Sequence, residues 1–175
     1  MLRRLGIPFE SWSPDVDESP HSGESCAETA RRLAGLKAEA AQARFPGAWV
    51  IGSDQVAELG GEPLGKPGNR DNARRQLQAM RGKAVIFHTG LCLLANGRAH
   101  ERLVPTEVTF RHLTDAEIER YLDREPAYDC AGSAKSEGLG ISLITSLRGD
   151  DPTALVGLPL IALAAMLREE GLAVP

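Results

Sequence analysis

The sequence predicts an α/β fold, a mixed β-sheet flanked by helices, and three features carry that expectation. Ser25 and Glu28 form an S-x-x-E capping box ahead of an apolar-periodic stretch that runs to Phe45. Ala48-Trp49-Val50-Ile51 has the composition of a buried strand. Val85 to Leu94 and a return strand to about Phe110 and Arg111 flank Asn96-Gly97, a strong hairpin signal. A hairpin ribbon is antiparallel, so the sheet is expected to be mixed rather than purely parallel.

The chain has 175 residues and a net charge of −4. That length suits one domain spanning residues 1–175 with a single core. The mild negative charge argues against a nucleic-acid groove, whereas a free nucleotide arriving with its own cation remains compatible. Cys26, Cys92 and Cys130 are odd in number and scattered, with no CxxC pair. They read as free thiols in a reducing cytoplasm rather than as a zinc site or disulfide framework. No apolar run is long enough for a bilayer, and the opening MLRRLGIPFE has no signal core, so neither membrane insertion nor export is expected.

Leu2 to Leu5 reads as a last helical turn closed by Gly6. Phe9 to Ser13 alternates like a strand. Pro14-Asp15-Val16-Asp17-Glu18 clusters three acids. Such clusters are usually solvated turns; the functional alternative is that Glu18 faces the same cleft as Asp54. In the helix from Ser25 to Phe45, the predicted buried stripe is Ala30, Leu33, Leu36, Ala40 and Phe45. Lys37 adjoins that stripe, where a snorkelling surface lysine is the ordinary reading.

The central strand breaks on Gly52 and Ser53 and delivers Asp54, with Gln55 beside it, to the end of the strand. Gly60-Gly61 makes a hairpin turn, and Leu64-Gly65-Lys66-Pro67 places a lysine where the chain returns. An acid and a lysine so placed suit a metal-phosphate substrate: the acid holds metal or activates water, and the lysine neutralises phosphate oxygen. Taken alone, the stretch reads better as a surface loop with an ordinary Asp and Lys.

Asp71 to Met80 is a second helix ended by Gly82, and Thr114 with Glu117 boxes a third that runs to Leu122. Tyr128 to Gly140 is rich in small residues and carries Lys135, Ser136 and Glu137. Its glycines would let backbone N–H groups approach an anion, although a flexible loop shares the composition. Ile141 to Leu147 reads as a strand. The last helix has Pro159 near its start and Gly171 just past its end, with Leu160, Leu163, Met166 and Leu167 on its buried face.

In order and spacing, LGIPFE, SPDVDE, AETARRLAGLKAEA, IGSDQV, LGKP, HTGLCLL, VTFRHL, DCAGSAKSEGLGI and VGLPL resemble the Maf family of nucleotide pyrophosphatases over nearly the whole chain. GSDQ and AGSAKSEG look like its 7-methyl-GTP subfamily. The resemblance implies an elongated mixed α/β fold similar to the inosine triphosphate pyrophosphatases. It also implies cleavage between the α and β phosphates, giving a nucleoside monophosphate and pyrophosphate with Mg or Mn. Carried over by position, Asp54 would accept the proton of water and Glu18 would join it at the metal. Glu18, Lys37, Lys66, Lys135 and Ser136 would surround the substrate, while Gln55 and Glu137 would select the base. A homodimer is typical of that family.

Members of the family open with a strand and a Ser-x-Ser-Pro-x-Arg-Arg loop that binds triphosphate. Met1 falls inside the helix that follows, so this strand and loop are expected to be missing from the chain as given. Either the natural protein is longer, or part of the phosphate site is lacking and activity is impaired. Leu36 stands where the family often has Glu. Two other functions compete: a nucleotide-binding or regulatory protein linked to septum formation, and a pyrophosphatase for another non-standard nucleotide. Trp12 is expected in the core, and Arg111 is expected at a solvated strand end.

Overall fold

In the computed structural model, which describes residues 1–175, a single sheet organises the chain. Its strands are β1 (Val50–Leu59), β2 (Glu62–Leu64), β3 (Ala84–Ala95), β4 (Arg98–Phe110) and β5 (Ile144–Arg148), in the spatial order β2-β1-β3-β4-β5. The helices are α1 (Cys26–Arg44), α2 (Arg70–Met80), α3 (Asp115–Arg124) and α4 (Leu160–Glu169). The α/β class therefore holds, but every strand pairing is antiparallel where mixed pairing was expected. The reason is local: β1 turns into β2 through Gly60-Gly61, and β3 turns into β4 through Asn96-Gly97. At the second turn both central residues take positive φ, 51° and 76°, as a two-residue hairpin of this type requires.

Side chains alternate along each strand, so the sheet has two distinct faces. On one face, Ala34 and Ala38 of α1 pack with Val50, Cys92 and Leu94. On the other, α2 and α3 bury Leu77, Met80, Ile118 and Leu122 against Phe87 and Phe110. Leu163, Met166 and Leu167 of α4 cover Leu91 and Leu93 on that same side, with Leu2 and Leu5 of the first turn against them.

The helix ends follow the sequence closely. Both capping boxes form, at Ser25 with Glu28 and at Thr114 with Glu117. Leu2–Leu5 is a 3₁₀ turn closed by Gly6 in the left-handed region. The stripe of α1 differs from the reading: Ala30, Leu33, Ala34 and Ala38 are buried, while Phe45 is exposed. Small residues win that face because two strand glycines lie beneath it.

Three further expectations are corrected. Phe9–Ser13 forms no strand; residues 7–21 carry no regular structure. Its alternation finds no neighbouring strand edge, since every pairing partner in the sheet is another segment. Trp12 is exposed rather than core, stacked edge-on against Phe45 with ring centroids 5.9 Å apart. Ile141–Leu147 divides, with Leu139–Leu143 in a 3₁₀ turn and only Ile144–Arg148 in β5.

Candidate functional site

Gly52 and Gly90 determine how close α1 comes to the sheet. A Cβ on Gly52 would lie 2.2 Å from the carbonyl oxygen of Ala34, and one on Gly90 would lie 2.2 Å from that of Ala30. Only glycine permits that approach. It brings Lys37, on the next turn of α1, directly over β1.

Asp54 sits in the middle of β1, not at a strand end as the Gly-Ser break suggested. Its Oδ1 accepts a hydrogen bond from Lys37 Nζ at 2.5 Å. The same ammonium lies 2.6 Å from Glu18 Oε1, and Lys66 Nζ approaches Glu18 Oε2 at 3.8 Å. Four predicted residues from four segments thus form one ionic cluster. Burial pushes the Asp54 carboxyl above its ordinary range, and the neighbouring Glu18 charge adds to this; the Lys37 ammonium opposes both without cancelling them. Burial acts to lower the Lys37 pKa, but its hydrogen bonds to Asp54 and Glu18 outweigh that and the net shift is upward. Lys37 therefore stays charged, and its hydrogen bond holds Glu18 below the usual carboxylate range.

Glu18 lies on irregular chain, yet it is tethered. Arg32 of α1 forks onto Glu24, Nε to Oε1 at 2.6 Å and Nη2 to Oε2 at 2.8 Å, and also donates to the Ser19 carbonyl at 3.0 Å. Sequence reading missed both Arg32 and Glu24, because nothing local marks a contact thirteen residues away.

Ser53 and Gln55 point to the opposite face from Asp54. Ser53 Oγ bonds the carbonyls of Gly90 and Gly157, both at 2.8 Å. Gln55 Nε2 donates to Thr89 Oγ1 and to the carbonyls of Ala154 and Leu155. Around them is a cavity of about 310 Å³ that also takes in Asp54, Lys66 and the loop residues Lys135, Ser136 and Glu137. Phe87, Val108, Phe110 and Leu155 give it an apolar floor. An ionic end joined to an apolar floor suits a ligand that is part polyanion and part planar ring.

The loop is held by α3, another feature the sequence did not reveal. Glu125 accepts from the backbone N–H groups of Leu139 and Gly140 at 3.2 and 3.0 Å, and Tyr121 Oη accepts from Lys135 N at 3.3 Å. Ser133, fully buried with φ 54°, donates to Gln76 Oε1 at 2.6 Å. Lys135 itself is paired with Asp129 at 3.1 Å. Arg111 is not free at a strand end: it donates to the Ser142 carbonyl and to Glu117, away from the cavity.

No group of three His, Cys, Asp or Glu side chains is placed to hold a metal ion. What exists is a carboxylate pair, Asp54 and Glu18, already converging on a single positive charge, the Lys37 ammonium. A two-carboxylate donor set suits magnesium that takes the rest of its shell from substrate phosphates and water.

The model of Maf-like proteins matches residues 1–170. The chain belongs to the Maf family. Among its Maf relatives is a protein of Xanthomonas oryzae pv. oryzae named 7-methyl-GTP pyrophosphatase. It is 59% identical over 175 residues, covering 100% of this chain and 92% of the relative. A protein of Aromatoleum aromaticum with the same name is 58% identical, covering 100% and 91%. One from Cupriavidus metallidurans, again so named, is 56% identical over 98% of this chain and 87% of its own length. No helix of this Maf chain is long and apolar enough to cross a membrane.

Proposed function

We propose that this Maf protein hydrolyses the α–β phosphoanhydride of 7-methyl-GTP, releasing 7-methyl-GMP and pyrophosphate. The observation that carries the reading is the cluster of Asp54, Lys37, Glu18 and Lys66 at the edge of a cavity with an apolar floor. Hydrolysis of a phosphoanhydride needs positioning and charge neutralisation more than covalent chemistry.

Asp54 spends Oδ1 on Lys37, which leaves Oδ2 to take a proton from water as that water attacks phosphorus. Its raised pKa makes it a better base than an exposed aspartate, and general-base help is worth roughly 10²–10⁴-fold. As the new P–O bond forms, the bridging P–O bond breaks and the pyrophosphate group leaves with those electrons. Lys66 and Lys135 line the cavity and neutralise phosphate oxygens. A divalent cation, Mg or Mn, held by Asp54 and Glu18 with the phosphates would supply further neutralisation. Ser136 offers a hydroxyl to the same ligand. At the ring end, Glu137 lines the cavity as a carboxylate; it accepts N–H bonds from a guanine edge and its charge suits a methylated, cationic ring. The cytoplasm, where free nucleotides meet reduced thiols, fits such a substrate and the three unpaired cysteines.

The test is pyrophosphate release from a panel of triphosphates with magnesium or manganese. Fastest release from 7-methyl-GTP is expected. Preference for UTP or dTTP would overturn the choice of base, and tight metal-nucleotide binding without turnover would make the protein a nucleotide sensor instead.

A further inference from the structure

Thr89 lies on β3 with no exposed surface and does not line the cavity. Its hydroxyl proton goes to the Ala154 carbonyl at 3.0 Å. Having spent its only proton there, Thr89 Oγ1 can act toward Gln55 only as an acceptor. It accepts from Gln55 Nε2 at 2.9 Å, while the carbonyls of Ala154 and Leu155 accept from the same nitrogen at 2.9 and 3.1 Å. Turned end for end, the amide would set its own oxygen against three acceptor oxygens. The amide orientation is therefore fixed, and Oε1 is the atom left over. Oε1 has no protein partner and is not among the buried orphan atoms, so on a residue that lines the cavity it is open to a ligand.

We propose that Thr89 is a positioning residue for base selection: together with the Ala154 and Leu155 carbonyls it accepts from Gln55 Nε2, and so holds Gln55 with a pure acceptor, its Oε1, turned to the cavity that Glu137 also lines. Two acceptors in one cavity match a ring edge with two donors, the ring N–H and exocyclic amine of guanine. They mismatch hypoxanthine, which lacks the amine. A site built to accept a donor discriminates against the ring without it, because its own polar atom is then left unpaired. The proposal rests on the nucleotide reading above and adds which ring edge is read and what sets the reader.

Thr89→Val is the probe. It replaces an oxygen 2.9 Å from Gln55 Nε2 with a methyl group that needs more room, so the amide must shift while the Ala154 and Leu155 carbonyls keep it from turning over. Thr89→Ser keeps the acceptor. The measurement is kcat and KM for 7-methyl-GTP and 7-methyl-ITP, with calorimetric binding of the two monophosphates and a melting curve for each variant. The expected result is a preference for the guanine ring that falls roughly fivefold to tenfold in Thr89→Val, through KM, and returns in Thr89→Ser. Equal losses on both rings, an unchanged ratio, or a wild type with no such preference would overturn it. Absence of turnover on every triphosphate contradicts the pyrophosphatase reading alone, because the monophosphate affinities still report the ring preference.

Discussion

The two ends of the cavity are built in opposite ways. At the ionic end, Lys37 and Asp54 stand on a long helix and a central strand pressed together at two glycines. At the ring end, Glu137 stands on a loop between short 3₁₀ turns, held by hydrogen bonds to Glu125, Tyr121 and Gln76. Groups that must meet a reacting atom gain from rigid elements, while groups that choose a ring can sit on chain that varies without disturbing the core. Changes at the ionic end should therefore damage turnover or the fold, and changes at the ring end should move affinity and preference.

The sharpest break is expected at Gly52. A side chain there meets the α1 backbone, and overpacking of this kind costs about 1–3 kcal/mol or more. Gly52→Val should lower the melting temperature markedly and abolish turnover. Gly65→Ala, next to Lys66 with nothing within 4 Å, should leave the melting curve unchanged.

Next comes Lys37→Met, which removes charge-assisted hydrogen bonds worth about 1.5–3 kcal/mol each, so kcat should fall roughly 10–150-fold. Without that ammonium, Asp54 loses the interaction that lowers its pKa. In metal-free protein its carboxyl should titrate at higher pH than in the wild type, read by NMR. A shift to lower pH would contradict the assignment.

Glu137→Gln should raise KM for 7-methyl-GTP by about tenfold, because one charge-assisted bond becomes neutral, with kcat and the Asp54 titration unmoved. A fall in kcat alone would erase the contrast between the two ends.

The smallest effect belongs to the tether. Hydrogen bonds from Arg32 hold the Glu24 carboxyl at about 2. A folded pKa below the unfolded value of about 4.3 gives stability that is present above that value and lost as pH falls toward 2. Glu24→Gln should lower the urea midpoint slightly at neutral pH and flatten its decline across that window.

How much was legible in the sequence follows the same divide. Capping boxes and the Asn96-Gly97 turn are local chemistry, so the helix starts and the hairpin were readable. Asp54 and Lys66 could be joined from the hairpin between them and Glu18 only as an alternative to a solvated turn, while Lys37 came in through the family resemblance, since no local pattern joins a helix residue to a strand so far along the chain. Glycine in IGSD looked like a strand end, but Gly52 serves packing and the strand runs on through Asp54 to Leu59. Trp12 looked like core by residue type, yet it lies on chain with no regular structure. Thr89, Glu125 and Tyr121 act through bonds to distant backbone, which leave no trace in composition or period.

The most direct measurement compares Asp54→Asn with the wild type for pyrophosphate release from 7-methyl-GTP and for affinity toward the nucleotide. The asparagine keeps the shape of the side chain and removes the base. The account predicts turnover lower by roughly 10²–10⁴-fold with affinity changed only a few-fold. Wild-type turnover in the variant would contradict it.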